Sequence, residues 1–156
     1  MPVTSRWLGL ASMMRAVHRW RVKMEQQPRH KKVLVLDDQV SACILIERVI
    51  NSVFDDVHTE ISNDSSAGLA WARQNDPDLI IVDFRMPNRD GLWLLKEVRK
   101  DHGALGSTPV IMVSGVKDQS VLSTAFDAGV TEFLFKPINP DELSAKIRQH
   151  LGETAN

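Results

Sequence analysis

The chain has 156 residues, 43% of them hydrophobic and 25% charged, with a formal net charge of −1. That length suits one domain, and the composition is that of a globular protein rather than a disordered or fibrous one. No apolar run approaches the roughly 20 residues of a membrane-spanning helix, and a single cysteine, Cys43, excludes an internal disulfide framework and fits a reducing, cytoplasmic compartment.

The near-neutral total conceals a division. Residues 1–32 carry eight Lys/Arg against one acid, Glu25, a net of +7. Residues 33–156 carry eleven Lys/Arg against nineteen acids, a net of −8, and the two parts reproduce the −1 of the whole. The simplest organisation is a basic extension over 1–30, an acidic domain over 31–151 and a short tail over 152–156. The boundary falls near Gln26-Gln27-Pro28-Arg29-His30, where Pro28 breaks any helix.

In the extension, residues 5–24 place Trp7, Leu10, Ala11, Met14 and Val17 on one helical face, with Arg15, Arg19, Arg21 and Lys23 nearby. A basic amphipathic helix of this kind can touch a membrane or dock a partner. A disordered tail, upstream sequence from a misassigned start and an Arg-rich transit peptide are the competing readings.

Past the boundary, strand-like and helix-like segments alternate. A strand over 32–36 leads to a helix over 40–53, with Ile44, Leu45, Val49 and Ile50 at helical spacing. An alternating strand over 57–61 suits a sheet edge. Asn63 or Asp64 caps a helix over 65–75, with Leu69 and Ala72 inward, and Asp76-Pro77 stops it. A strand over 79–82 precedes a helix over 91–101, marked by Leu92, Leu95 and Val98. A strand over 109–113 precedes a helix over 118–128 that stops at Gly129. A strand over 131–135 leads to a helix over 140–150, with Asn139 as cap and Pro140 in its first turn. Five strand–helix units imply a parallel sheet with helices on both faces, and the unbroken apolar runs over 33–36, 79–82 and 110–113 fit central strands buried on both sides. No Gly-rich phosphate loop is present.

The strands end on chemistry. Asp37-Asp38 follows the first, Asp83 the third, Ser114 the fourth and Lys136 the fifth. The carboxyl ends of parallel strands share one edge, where ligands bind. Three carboxylates in one crevice repel unless a cation joins them, and an all-oxygen donor set favours Mg²⁺. With such an ion, Asp83 can act as a nucleophile toward a phosphoryl group, Lys136 and the Ser114 hydroxyl holding other phosphoryl oxygens.

The segments Leu34-Val35-Leu36-Asp37-Asp38, Val82-Asp83-Phe84-Arg85-Met86-Pro87, Val113-Ser114-Gly115 and Phe133-Leu134-Phe135-Lys136-Pro137 together resemble the receiver domain of two-component response regulators over about 31–151. The resemblance implies an α/β, flavodoxin-like fold with five parallel strands in the order 2-1-3-4-5. It implies Asp83 as phosphoacceptor and Asp37, Asp38, Asp83 and the Arg85 backbone carbonyl as Mg²⁺ ligands, Asp38 directly and Asp37 partly through water. Lys136 would pair with the phosphoryl group, Ser114 would move toward it, and Phe133 would reorient as the switch aromatic. Arg85 and Val116, at positions that vary in the family, suggest a slowly hydrolysed phosphoryl group.

The implied partners are a sensor histidine kinase or histidine phosphotransfer protein and a separate downstream effector. The effector would meet a face built from the helix over 118–128, the strand over 131–135 and the helix over 140–150, and phosphorylation could also drive homodimerisation. Only six residues follow Gln149-His150, so neither an enzyme domain nor specific nucleic-acid binding is expected. The rival reading is a Mg²⁺-dependent phosphohydrolase with an aspartyl nucleophile, but Asp37-Asp38-Gln39 lacks the two-apart acids of haloacid-dehalogenase-like enzymes. Cys43, among Ala42, Ile44, Leu45 and Ile46, reads as a buried inert thiol, and the scattered histidines as ordinary ones.

Overall fold

The computed structural model describes residues 5–25 and 29–152. In chain order the elements are α1 (Ser5–Glu25), β1 (Lys31–Leu36), α2 (Val40–Val53), β2 (Val57–Ser62), α3 (Ser65–Asn75), β3 (Leu79–Asp83), α4 (Gly91–Arg99), a 3₁₀ turn (Ala104–Ser107), β4 (Val110–Ser114), α5 (Gln119–Asp127), β5 (Glu132–Phe135) and α6 (Pro140–Leu151). The strands form one parallel sheet in the order β2-β1-β3-β4-β5.

The unbroken apolar runs fill both faces of this sheet. Side chains alternate along a strand, so neighbours in sequence feed opposite cores. Val33, Val35, Ile81, Ile111 and Val113 pack with Ile46 and Ile50 of α2 and Leu143 and Ile147 of α6. Leu34, Leu36, Ile80, Val82 and Met112 pack with Leu69 of α3, Leu94 and Leu95 of α4 and Ala125 of α5. Every residue of β3 and β4 is buried. Each fully buried Leu, Ile or Val contributes about 1.5–3 kcal/mol, so this two-sided sheet is where the domain's stability concentrates.

Register carries the polar residues to one place. Leu36 pairs with Val82, so the next residues, Asp37 and Asp83, stand side by side. Asp83 pairs with Val113, one step before Ser114, and Ser114 pairs with Phe135, one step before Lys136. The order reverses between β1 and β3, and in open α/β sheets the crevice outside such a reversal is the usual ligand site.

Several local expectations change. The helix expected over 91–101 ends at Arg99, and the unanticipated 3₁₀ turn follows, burying Leu105. Asp64, not Asn63, caps α3 by accepting from the Ala67 N–H at 2.7 Å. Asp118 is the cap of α5 rather than its first residue. In α2, Cys43 and Ile46 take the inward places and Ile44 is exposed. In α1, the large exposed apolar residues among those described are Leu10, Met13, Met14, Val17 and Trp20, at i, i+3, i+4, i+7 and i+10, so Met13 and Trp20 join Leu10, Met14 and Val17 of the expected face. Ala11 is only half-buried, and the side chain of Trp7 lies outside the described set. Pro28 and the end of the tail, 153–156, lie outside the described residues as well. Among the described residues, no helix is long and apolar enough to cross a membrane.

Candidate functional site

Asp37 opens the loop after β1 and is 2% exposed. Its backbone N–H donates to the Ser62 carbonyl at 3.3 Å, which extends the β1–β2 ladder by one bond. Its Oδ1 accepts from the Gln39 N–H at 2.8 Å and its Oδ2 from Lys136 Nζ at 2.8 Å. The Cys43 thiol donates to the Asp37 carbonyl at 3.5 Å from the first turn of α2. Burial, and then the charge of Asp37, pushes the Cys43 thiol up, in keeping with an inert thiol. Cys43 is thus a backing residue for the site, a role invisible in sequence because it depends on where the first turn of α2 closes.

Asp83 ends β3 and is 6% exposed. The Phe84 N–H donates to the Val113 carbonyl at 2.7 Å, which keeps β3 aligned with β4 past the acid. Beneath it, α4 begins very close. The Gly91 N–H donates to the Phe84 carbonyl at 3.0 Å, and a Cβ on Gly91 would stand 2.3 Å from the Asp83 carbonyl oxygen. Only glycine lets the helix start there. Asp90 caps that helix by accepting from the Trp93 N–H at 2.8 Å. Gly91 opens the helix expected over 91–101, but the steric reason for a glycine there is three-dimensional.

Lys136, just past β5, bridges the two buried acids. Its Nζ lies 2.8 Å from Asp37 Oδ2 and 3.3 Å from Asp83 Oδ1. The following Lys136–Pro137 peptide is cis, and the Lys136 N–H donates to the Ser114 carbonyl at 2.8 Å. Asp38 is exposed at the mouth. Asp37, Asp38 and Asp83 each offer a carboxylate oxygen within 4.8 Å of the others.

Charge in this crevice is not balanced. Three carboxylates face one ammonium. Burial foremost, then the negative charge of Asp37, holds the Asp83 carboxyl above the usual range, against the pull of Lys136; Asp38 adds to the rise. For Lys136, burial pulls downward, but the hydrogen bond it donates to Asp37 and the charges of Asp83 and Asp37 outweigh it, so the ammonium is raised and stays protonated. An excess of buried negative charge on oxygen ligands alone is the environment of a hard divalent cation. The donor set therefore fits Mg²⁺ or Mn²⁺.

Ser114 is buried at the end of β4, and its hydroxyl oxygen accepts from the Val116 N–H at 3.0 Å. Arg85 is exposed two residues beyond Asp83. Phe133 is half-buried in β5, packs against the core shared by α3, α4 and α5, and meets Phe135 edge-on at 5.2 Å.

Residues 33–148 match the model of the response regulator receiver domain. The chain belongs to that family. The receiver is 30% identical over 141 residues to the cyclic di-GMP phosphodiesterase response regulator RpfG of Xanthomonas campestris pv. campestris, covering 89% of this chain and 36% of that protein. It thus spans well under half of that relative's length. Among solved structures, the Vibrio cholerae chemotaxis protein CheY4 superposes with a TM-score of 0.70 at 26% identity, covering 78% of this chain and 99% of that one. The Mn²⁺-bound form of the response regulator Rcp1 shares the fold, with a TM-score of 0.67 at 23% identity over 81% of this chain and 97% of that one. The receiver fold expected from sequence, with its 2-1-3-4-5 strand order, is the fold observed.

Proposed function

We propose that this receiver takes a phosphoryl group onto Asp83 from a phosphohistidine of a sensor histidine kinase or a histidine phosphotransfer protein, and passes the signal to a separate partner. In the transfer, an Asp83 oxygen forms the new O–P bond as the donor's N–P bond breaks, and the imidazole leaves with the electron pair of that bond. The observation that carries the reading is the position of Lys136, whose ammonium lies against both Asp37 and Asp83 in a crevice with surplus negative charge.

Asp38, Asp83, the Arg85 carbonyl and Asp37 would hold a Mg²⁺ ion. The ion would neutralise charge that develops on the transferred phosphoryl oxygens. Both carboxylate oxygens of Asp37 are already engaged, by the Gln39 N–H and by Lys136. That occupancy favours Asp37 acting on the ion partly through water and Asp38 binding it directly. Rcp1, which shares the fold, binds Mn²⁺, and the carboxylate oxygens of Asp37, Asp38 and Asp83 within 4.8 Å of one another are where this chain would take such an ion.

Lys136 would shift its hydrogen bond to an incoming phosphoryl oxygen. The Ser114 oxygen receives the Val116 N–H, which leaves the hydroxyl proton free to donate to another phosphoryl oxygen. Moving Ser114 draws on the loop between β4 and α5, and Phe133 on the adjacent strand would answer by turning inward. The face that would carry the output is α5, β5 and α6. Phe126 and Phe135 stand exposed there, as a surface for an effector or a second receiver would require.

The test is acetyl phosphate with Mg²⁺, read by intact mass. Wild type should gain one phosphoryl group, and neither Asp83→Asn nor wild type in excess EDTA should gain any. Label retained by Asp83→Asn would move the acceptor elsewhere.

A further inference from the structure

α1 plays no part in the phosphoryl site. It is a helix of 21 residues in which five large apolar side chains are in water: Leu10 is 55% exposed, Met14 71% and Trp20 64%, with Met13 and Val17 between them. Their spacing of i, i+3, i+4, i+7 and i+10 puts all five on one side of the helix. Arg15 and Arg19, both exposed, lie on the opposite side. Residues 1–32 carry a net charge of +7 and include two tryptophans, Trp7 and Trp20. The helix is too polar to span a bilayer.

Three occupants could cover such a stripe. A second copy of α1 would bring two strongly basic segments together, and each would oppose the other. The acidic receiver of the same chain carries the opposite charge, yet the stripe is exposed with that receiver present. An anionic lipid surface suits the helix as a whole, because its headgroups can also meet Arg21, which lines the same side as Leu10, Met14 and Val17. Its headgroups neutralise the arginines and its acyl boundary takes the Leu, Met, Val and Trp side chains.

We infer that α1 lies in the plane of an anionic membrane, stripe inward, and tethers the receiver there. The net charge of −8 over residues 33–156 would keep the receiver itself off the same surface, so the chain would stand on its basic helix with the phosphoryl site free.

The experiment is co-sedimentation of the full chain with vesicles of phosphatidylglycerol or of phosphatidylcholine. Wild type should partition to phosphatidylglycerol and not to phosphatidylcholine, and raising the salt about tenfold should weaken the binding. Met14→Glu with Val17→Glu, and separately Arg15→Glu with Arg19→Glu, should each weaken it roughly tenfold or more. Circular dichroism and acetyl phosphate labelling of both variants should match wild type, which separates failure of the tether from failure of the receiver. No partitioning of wild type to phosphatidylglycerol overturns the inference, as does equal partitioning of the stripe variant. A vesicle-free dimer that the stripe variant dissociates would assign the stripe to a second copy and overturn it too.

Discussion

The two ends of the sheet treat a half-buried cation in opposite ways. At the carboxyl end, Lys136 faces three carboxylates and the crevice is left with excess negative charge. At the amino end, the guanidinium of Arg99 is spread over neutral acceptors among the described residues. It donates to the carbonyls of Gly129 at 2.9 Å, Gly106 at 3.0 Å and Thr108 at 2.8 Å, and to Thr131 Oγ1 at 3.4 Å. Thr131 Oγ1 in turn accepts from the Val110 N–H at 2.9 Å, and the Thr108 hydroxyl donates to the Pro77 carbonyl at 3.1 Å. This end is a closed polar network that staples α4, the 3₁₀ turn and the starts of β4 and β5. The other end is an open one. Closed networks specify a fold, whereas an open one is poised for a ligand. The same sheet therefore separates stability from chemistry by its two edges.

The largest expected effect breaks the open end. Lys136→Met should slow labelling by acetyl phosphate by roughly 10²-fold or more, because it removes a charge aimed at the developing phosphoryl oxygens. A stopped-flow or mass time course measures it, and an unchanged rate would remove Lys136 from the site. Next comes the closed end. Arg99→Ala should cost about 2–3 kcal/mol in urea unfolding, since several backbone carbonyls lose a charged donor. Folded Arg99→Ala should still label at the wild-type rate. If it instead lost labelling while staying folded, the separation of the two ends would fail.

Without metal, the folded Asp83 carboxyl is raised above its unfolded value. Its stabilising contribution is therefore full below the unfolded carboxylate range and is lost as pH rises through the folded value. Asp83→Asn should consequently stabilise the metal-free protein at neutral pH, and the gain should shrink in acid. A neutral-pH loss of stability would contradict the charge excess proposed for the crevice.

The smallest effect lies at the start of β5, beside the closed network but outside its hydrogen bonds. Glu132 accepts from Lys146 Nζ at 2.7 Å and lies 3.2 Å from His150 Nε2. The Lys146 bond chiefly, with His150, holds the Glu132 carboxyl below its usual range against partial burial. The stability it adds is present above the unfolded carboxylate value and disappears as pH falls through the folded one. Glu132→Gln should cost at most about 1 kcal/mol at neutral pH, with the two proteins converging in acid.

The open end was much more legible in the sequence than the closed one. Doubly buried strands must be apolar without alternation, so Leu79-Ile80-Ile81-Val82 and Val110-Ile111-Met112-Val113 announced themselves. Polar residues placed directly after such runs are costly unless used, which made Asp37, Asp83, Ser114 and Lys136 candidates at once. The strand order came from the resemblance to receivers, because periodicity cannot rank strands in a sheet. Arg99 gave no signal, since its partners are carbonyls that any sequence would supply. The 3₁₀ turn at Ala104–Ser107 and the approach of Gly91 to the Asp83 carbonyl depend on tertiary geometry for the same reason. In α1, the face read from the sequence shares Leu10, Met14 and Val17 with the exposed stripe, and the 3.6-residue period adds Met13 and Trp20 beside them.

The measurement closest to the central claim is a calorimetric titration of the unphosphorylated chain with Mg²⁺. A crevice with three carboxylates and one ammonium should take up one ion per chain, and Asp38→Ala should weaken that uptake roughly tenfold or more. No uptake by wild type, or uptake undiminished by removing Asp38, would contradict the charge excess on which the site depends.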